Sequence, residues 1–345
     1  MASERTLLVT GGAGFIGSRF ASQHLVRHPS DRVIVLDALT YAGSLERFPG
    51  EIRGSDRFEF VHGNVRNADL VASLLKRCTT VVHFAAETHV PRSLADSLLF
   101  FETDVLGTQA LAGQAVAHAE RLERFIHISS SEVYGSSVGG AMDEDHPLAP
   151  TTPYAAAKCG ADRVVHSCVR TYGLPAVLVR PFNNFGPAQH LEKLIPRFIT
   201  SAILGEPLTI HGDGTAARDW VFVDDTCDAI EAVLAAPAGD VVGEAFNVGT
   251  GVSTSVAELA DLIVEMTGAA GARIVHGPER PGQVALHRAC AEKISQRLGF
   301  SPTTVLRAGL ESTVDWYRGN RDWWQRQLWM RAVPIADSEG SITYW

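Results

Sequence analysis

The sequence predicts a doubly wound α/β fold, a parallel sheet covered by helices on both faces, joined to a smaller α+β unit. Three observations carry that prediction. Short β-branched runs alternate with longer stretches whose apolar residues recur at spacings of three and four. A glycine-rich turn, Gly11-Gly12-Ala13-Gly14-Phe15-Ile16-Gly17, joins the first run to the first helical stretch. After Phe182 the texture changes to Gly, Pro and Asp punctuation. The first half reads as strands at Thr6 to Thr10, Val33 to Asp37, Phe58 to Val61, Thr80 to Ala85, Arg124 to Ser129 and Ala176 to Arg180. Between them lie helices at Phe15 to His28, Asp69 to Arg77, Phe101 to Ala119 and Tyr154 to Tyr172. The second half reads as short strands near Leu208 to His211, Asp219 to Val223 and Ala245 to Val248, with helices near Leu191 to Ile203, Thr226 to Ala236, Ser255 to Thr267 and Thr304 to Arg318. No Ser- or Pro-rich linker separates the halves, so residues 1–180 and 181–345 are expected to pack directly, with some later elements returning to the main sheet. Trp323, Trp324, Trp329 and Trp345 crowd the tail, where they are expected to cover the core or a subunit contact.

The chain has 345 residues, room for one large or two intimately joined domains. Its 30 Lys and Arg against 39 Asp and Glu give a net charge of −9, which argues against a general grip on nucleic acid or an anionic membrane. Any phosphate must be held locally. The five cysteines, Cys78, Cys159, Cys168, Cys227 and Cys290, form no C-x-x-C pair, so neither a disulfide framework nor a zinc site is expected and a reducing, cytoplasmic setting is. No run approaches the roughly 18 apolar residues that a membrane span needs.

The glycine turn has the chemistry of a dinucleotide site. Gly11 permits a tight turn, Gly14 lets a pyrophosphate approach the backbone, and Gly17 lets the helix pack close on the strand. The helix N-terminus then faces the phosphates. Asp37 ends the second strand about 20 residues further on, where an acid reads the ribose 2′-hydroxyl and repels a 2′-phosphate. The expected cofactor of this Rossmann unit is therefore NAD rather than NADP.

A reactive constellation follows at another strand end. Ser129-Ser130-Ser131-Glu132-Val133-Tyr134-Gly135 leaves the fifth strand, and Tyr154 and Lys158 stand one helical turn apart at the start of a helix. An ammonium near a phenol is expected to lower the phenol's pKa, making Tyr154 a base for a hydroxyl proton, with the Ser130 hydroxyl on the same oxygen.

With these residues in view, the chain resembles the extended short-chain dehydrogenase/reductases and, within them, the nucleotide-sugar 4,6-dehydratases, the dTDP-glucose branch above all. The resemblance rests on Thr10 to Gly17, Leu39-Thr-Tyr-Ala-Gly43, Phe84-Ala-Ala-Glu-Thr-His-Val90, Glu132-Val-Tyr-Gly135, Tyr154 with Lys158, Asn183-Asn-Phe-Gly-Pro187, Glu192-Lys-Leu-Ile-Pro196 and Arg218-Asp-Trp220. It implies a lyase that recycles its NAD through a 4-keto sugar, with Tyr154 taking the 4-hydroxyl proton and Glu132 the C5 proton before water leaves from C6. It also places Phe15, Ile16, Asn64, Val65, Ala85, Tyr154 and Lys158 on the cofactor, and His89, Arg92, Asn183, Lys193, Arg218, Asn247 and Arg280 on the sugar nucleotide. A homodimer, paired through helices Phe101 to Ala119 and Tyr154 to Tyr172, is implied as well.

The chain departs from that pattern in particular places. Ser131 stands where the dTDP-glucose enzymes carry an acid that protonates the departing hydroxyl, a catalytic position from which a serine could relay a proton through water, and Pro91 stands where they show Asp. Arg280-Pro-Gly-Gln-Val284 lacks their His-Asp. A 4-epimerase and a uronate decarboxylase share the first oxidation and remain open, as does, in another class, a non-catalytic NAD-binding sensor. His83, His89, His127, His190 and His287 show no ligand spacing, Asp224-Asp225 suits a helix start and Asp143-Glu144-Asp145 a solvated loop, so no metal site is expected.

Overall fold

The computed structural model describes residues 4–269, 271–336 and 342–344. Twelve strands among them matter here: β1 Thr6–Thr10, β2 Arg32–Asp37, β3 Phe58–His62, β4 Thr80–His83, β5 Arg124–Ile128, β6 Ala176–Pro181, β7 Asn183–Phe185, β8 Leu208–His211, β9 Ala217–Phe222, β10 Ala245–Val248, β11 Ser253–Ser255 and β12 Ile274–Gly277. Seven of them make one sheet in the order β10-β6-β5-β4-β1-β2-β3. Every pairing in it is parallel. The order reverses between β1 and β4, and this switch point opens a crevice at the carboxyl ends of the strands.

Alternate residues of the same strands feed two cores, as a doubly covered sheet requires. Leu7, Val9, Val33, Val35 and Val82 pack with Phe20 and Leu25 of helix Phe15–Arg27 and with Ile230 and Val233 of helix Val223–Ala235. Leu8, Ile34, Leu36 and Val81 point the other way, onto Val71, Leu74, Leu111 and Val165. Burying each such side chain stabilises the fold by roughly 1.5–3 kcal/mol.

The second half adds β9 between β7 and β11, the pair β8 and β12, and a third core built on Phe198, Leu208, Phe222, Leu259, Tyr317 and Trp324. The strands of three or four residues, β7, β11 and β12, were not expected from the sequence. β7 and β11 span three residues and display no period, and β12 offers only Ile274-Val275 as a β-branched pair. Helix Ser97–Phe100 runs through a π-helical turn, Phe101–Leu106, into helix Gly107–Val116, so the expected helix starts a turn earlier and bulges. The tryptophans divide. Trp324 is fully buried and donates from Nε1 to the Tyr317 carbonyl at 2.7 Å, whereas Trp329 is 76% exposed and covers no core of this chain, which leaves it the subunit-contact half of the expectation. Trp345 lies outside the described residues. No helix among the described residues is long and apolar enough to cross a membrane.

One buried carboxylate ties the second half together. Asp219 accepts from Thr250 N–H at 2.9 Å, Thr250 Oγ1 at 2.7 Å, Gly251 N–H at 2.8 Å and Ala289 N–H at 3.1 Å. Asp219→Ala leaves those donors without their acceptor, so its urea midpoint is expected to fall by the equivalent of about 3–5 kcal/mol. A midpoint within error of the parent protein refutes this.

Candidate functional site

A cavity of about 620 Å³ lies at the carboxyl ends of the parallel strands, with the two halves of the chain contributing opposite walls. Its floor is the glycine turn. Gly11 has φ +66, and a Cβ there would stand 2.5 Å from the Ala85 nitrogen, beyond the end of β4. A Cβ on Gly17 would meet the Gly11 carbonyl oxygen at 2.6 Å. The turn is thus open to a phosphate only while both side chains are hydrogens. Gly14, Phe15, Ile16, Asn64, Val65 and Ala85 line the same end. Asp37 projects from the end of β2 and is fixed by Ala13 N–H at 2.9 Å and Leu39 N–H at 2.8 Å. Burial raises its pKa and those two donors lower it. A carboxylate held beside a glycine cradle fits a dinucleotide with a free ribose 2′-hydroxyl.

The reactive side chains are delivered by local signals. Ser130 leaves β5 extended and its Oγ accepts from Glu132 N–H at 3.2 Å, starting the short turn Ser131–Tyr134. Thr152 caps helix Pro153–Tyr172 by accepting from Ala155 N–H at 3.2 Å, with Pro153 at the first position, and this aims Tyr154 and Lys158 inward. Tyr154, Lys158, Ser130, Ser131 and Glu132 all line the cavity.

Burial dominates the electrostatics of the pair. Burial pushes the Tyr154 phenol well above its usual range, the Ser130 hydrogen bond pulls it down, and Glu132 and Asp104 push it further up. Lys158 is also buried, which lowers its own pKa, and its Nζ donates to the Ile128 carbonyl at 2.8 Å. The Ser130 hydroxyl is a group that favours the phenolate here. Asp104, which the sequence reading passed over, sits buried on the π-helical turn and accepts from Glu87 N–H at 2.7 Å. Burial raises its carboxyl, and the Lys158 ammonium opposes that rise.

The far wall is cationic. Arg218, Arg280 and Lys193 line it together with His89 and Asn183. Burial lowers all three cations, Glu132 or Glu192 opposes, and their repulsion adds, with Arg280 lowering both Arg218 and Lys193. Arg280 Nε and Asn183 Oδ1 are buried without a hydrogen-bond partner, as is Nε1 of Trp220, a lining residue that the sequence marks only as part of Arg218-Asp-Trp220. The unpaired N–H donors of Arg280 and Trp220 suit a diphosphate, whereas Asn183 Oδ1 is an acceptor and suits a hydroxyl beside it.

Two expected residues fall outside the lining. Arg92 donates from Nε to Glu192 at 3.1 Å and stacks over the Tyr41 ring at 4.0 Å, so its charge is spent within the wall. Asn247 is fully buried, accepting from Tyr134 Oη at 2.7 Å and donating to the Met142 carbonyl at 3.0 Å. It belongs to a network with Arg180 and Asp162 that braces the strand ends. The sequence does contain one histidine pair with ligand spacing, His24 and His28, whose donor atoms lie with those of Glu231 within 4.8 Å of one another. Glu231 hydrogen-bonds to both rings, at 2.8 and 3.1 Å, which joins helix Phe15–Arg27 to helix Val223–Ala235.

A Rossmann sheet with a glycine cradle, an acid at the end of β2 and a Ser–Tyr–Lys set beyond β5 defines an extended short-chain dehydrogenase/reductase. Within that class the chain belongs to the GDP-mannose 4,6 dehydratase family, whose model matches residues 8–313. It is 42% identical over 323 residues to a dTDP-glucose 4,6-dehydratase of Streptomyces niveus, covering 92% of this chain and 94% of that one. It superposes with a TM-score of 0.88 on the dTDP-glucose 4,6-dehydratase DesIV of Streptomyces venezuelae, solved with NAD bound, at 43% identity over 93% of this chain and 99% of that one. A UDP-glucuronic acid 4-epimerase of Bacillus cereus follows at TM-score 0.85 and 30% identity, covering 91% and 99%.

Proposed function

We propose that the protein is an NAD-dependent dTDP-glucose 4,6-dehydratase, converting a dTDP-hexose to its 4-keto-6-deoxy form without net redox change. The observation that carries this reading is Glu132. It lines the cavity two residues from Ser130, whose hydroxyl holds the Tyr154 phenol, so a base for C5 stands next to the base for the 4-hydroxyl. A simple epimerase has no use for it. The relatives named dTDP-glucose 4,6-dehydratase support the same reading.

Bound NAD supplies the acceptor of the C4 hydride and returns it at C6. Tyr154 takes the 4-hydroxyl proton, held in line by Ser130. Lys158 keeps a positive charge under the site, and Gly11, Gly14 and Asp37 hold the dinucleotide. The 4-ketone acidifies C5, Glu132 removes that proton, and water departs from C6. Arg218, Arg280, Lys193 and Asn183 grip the diphosphate, with His89 nearby. Because each charge-assisted contact contributes about 1.5–3 kcal/mol, Arg218→Ala is expected to raise KM about 10- to 100-fold and to change kcat far less. Unchanged KM removes Arg218 from the site. The test of the reading itself is the mass of the product formed from dTDP-glucose.

Leu98, Phe101 and Leu106 are exposed along the bulged helix, at 65%, 40% and 57%, and Tyr172 ends helix Pro153–Tyr172 at 63%. These faces support a homodimer paired through the two helices. The five cysteines are free thiols, which suits a cytoplasmic enzyme.

A further inference from the structure

Ser131 poses a chemical problem. Loss of water from C6 needs a proton on the departing oxygen, and a serine hydroxyl is far too weak an acid to supply one unaided. We propose that Ser131 and His287 form a proton relay, which collects the proton Glu132 takes from C5 and delivers it to the departing 6-hydroxyl. The proposal rests on the dehydratase reading above.

The geometry on which it stands is long-range. His287 is fully buried behind Ser131, held by its own N–H on the Ala217 carbonyl at 3.0 Å and flanked edge-on by the Phe182 ring. Its Nε2 lies 2.8 Å from the Gly135 carbonyl oxygen. A carbonyl only accepts, so Nε2 carries the ring proton and Nδ1 presents a lone pair. That lone pair faces the two groups the reaction needs: Ser131 Oγ at 3.4 Å and Glu132 Oε1 at 3.9 Å. Burial lowers the imidazole's pKa, with Arg218 and His146 acting the same way, while Glu132 and the Gly135 hydrogen bond oppose. With Nε2 protonated on Gly135, Nδ1 is the atom left to accept, and burial makes it a weak base that releases the proton readily.

The steps balance. The C5–H bond breaks and its proton goes to Glu132, the electron pair forming the C5–C6 double bond as the C6–O bond breaks. Glu132 Oε1 stands 3.9 Å from Nδ1, so the two close to hydrogen-bond distance on the bound sugar before Glu132 passes the proton to Nδ1. Nδ1 gives it to Ser131 Oγ as the Ser131 hydroxyl proton moves to the departing oxygen, which leaves as water. The proton taken from the 4-hydroxyl by Tyr154 balances the one returned to C5 when hydride arrives at C6. Nothing else is consumed. His287 touches no substrate and acts through Ser131.

The test uses the NAD-loaded enzyme with dTDP-glucose. His287→Gln keeps an amide donor for Gly135 and cannot accept and release a proton. It is expected to oxidise C4 as before, seen as reduced nicotinamide, while water loss falls about 100-fold. Without the relay the proton must come from solvent, so the residual rate is expected to fall as pH rises, whereas the wild-type rate stays level across the neutral range. Ser131→Asp in the His287→Gln background restores most of the loss, because a carboxyl acid needs no supply through the imidazole. Ser131→Ala removes one hydroxyl and is expected to show the same 100-fold defect, which keeps the proposal testable if the histidine variant does not fold. Water loss at the wild-type rate in either single variant overturns the relay. So does a His287→Gln defect with a level pH profile and no rescue by Asp, which marks His287 as structural. A wild-type protein that oxidises C4 and sheds no water overturns the dehydratase reading instead, before any variant is made.

Discussion

Tyr154→Phe is expected to bind NAD as tightly as the parent protein and to lose about 100- to 10,000-fold in turnover, the range for removing a positioned general base. The substitution deletes one oxygen. Its ring still packs edge-on against Phe100, whose centroid lies 6.2 Å away, so the helix start keeps its place. What is lost is the acceptor for the 4-hydroxyl proton, and with it the only step that loads hydride on the cofactor. Stopped-flow absorbance of the reduced nicotinamide checks this, with no reduction expected from the variant. Normal turnover by Tyr154→Phe excludes the phenol as the base.

Glu132→Gln is expected to separate the two halves of the reaction. The amide fills the same volume but takes no proton from C5. Oxidation at C4 survives, and product formation falls about 100- to 10,000-fold. Reduced cofactor then accumulates with substrate trapped as the 4-ketone. The variant also removes a negative charge that attracts both Arg218 and Arg280 and so competes with the diphosphate for them, and a tighter grip on the diphosphate is a secondary effect to be read from KM. Undiminished product from Glu132→Gln would falsify its assignment as the C5 base.

The parallel sheet was legible because its strands are buried on both faces. Runs such as Leu7-Leu8-Val9 and Val33-Ile34-Val35 feed two cores at once and leave an apolar signal no helix period explains. The glycine cradle and the Tyr154–Lys158 pair were legible because their spacings are set inside single elements. The rest was hidden in contacts between distant segments. Arg92 reads as a cation for a phosphate until Glu192, 100 residues on, is seen to take its charge. Asn247 reads as a polar group near a strand end until Tyr134, 113 residues away, is seen to occupy it. Ser131 and His287, separated by 156 residues, gave no joint signal at all, since pairing a lone serine with a lone histidine takes the folded chain. The burial of Tyr154 and Lys158 was hidden for a different reason. Helical spacing put the ammonium near the phenol, but it carries no information on burial, and burial is the largest influence on both groups.

The central claim is that the 4-keto intermediate made in this cavity loses water. Purified protein incubated separately with dTDP-glucose, UDP-glucose, GDP-mannose and UDP-glucuronate, followed by mass spectrometry of the sugar nucleotide, tests it directly. The account predicts a product lighter by one water from dTDP-glucose, with the bound cofactor returned to its oxidised form. A product of unchanged mass with inverted C4, or one lighter by carbon dioxide from UDP-glucuronate alone, contradicts it.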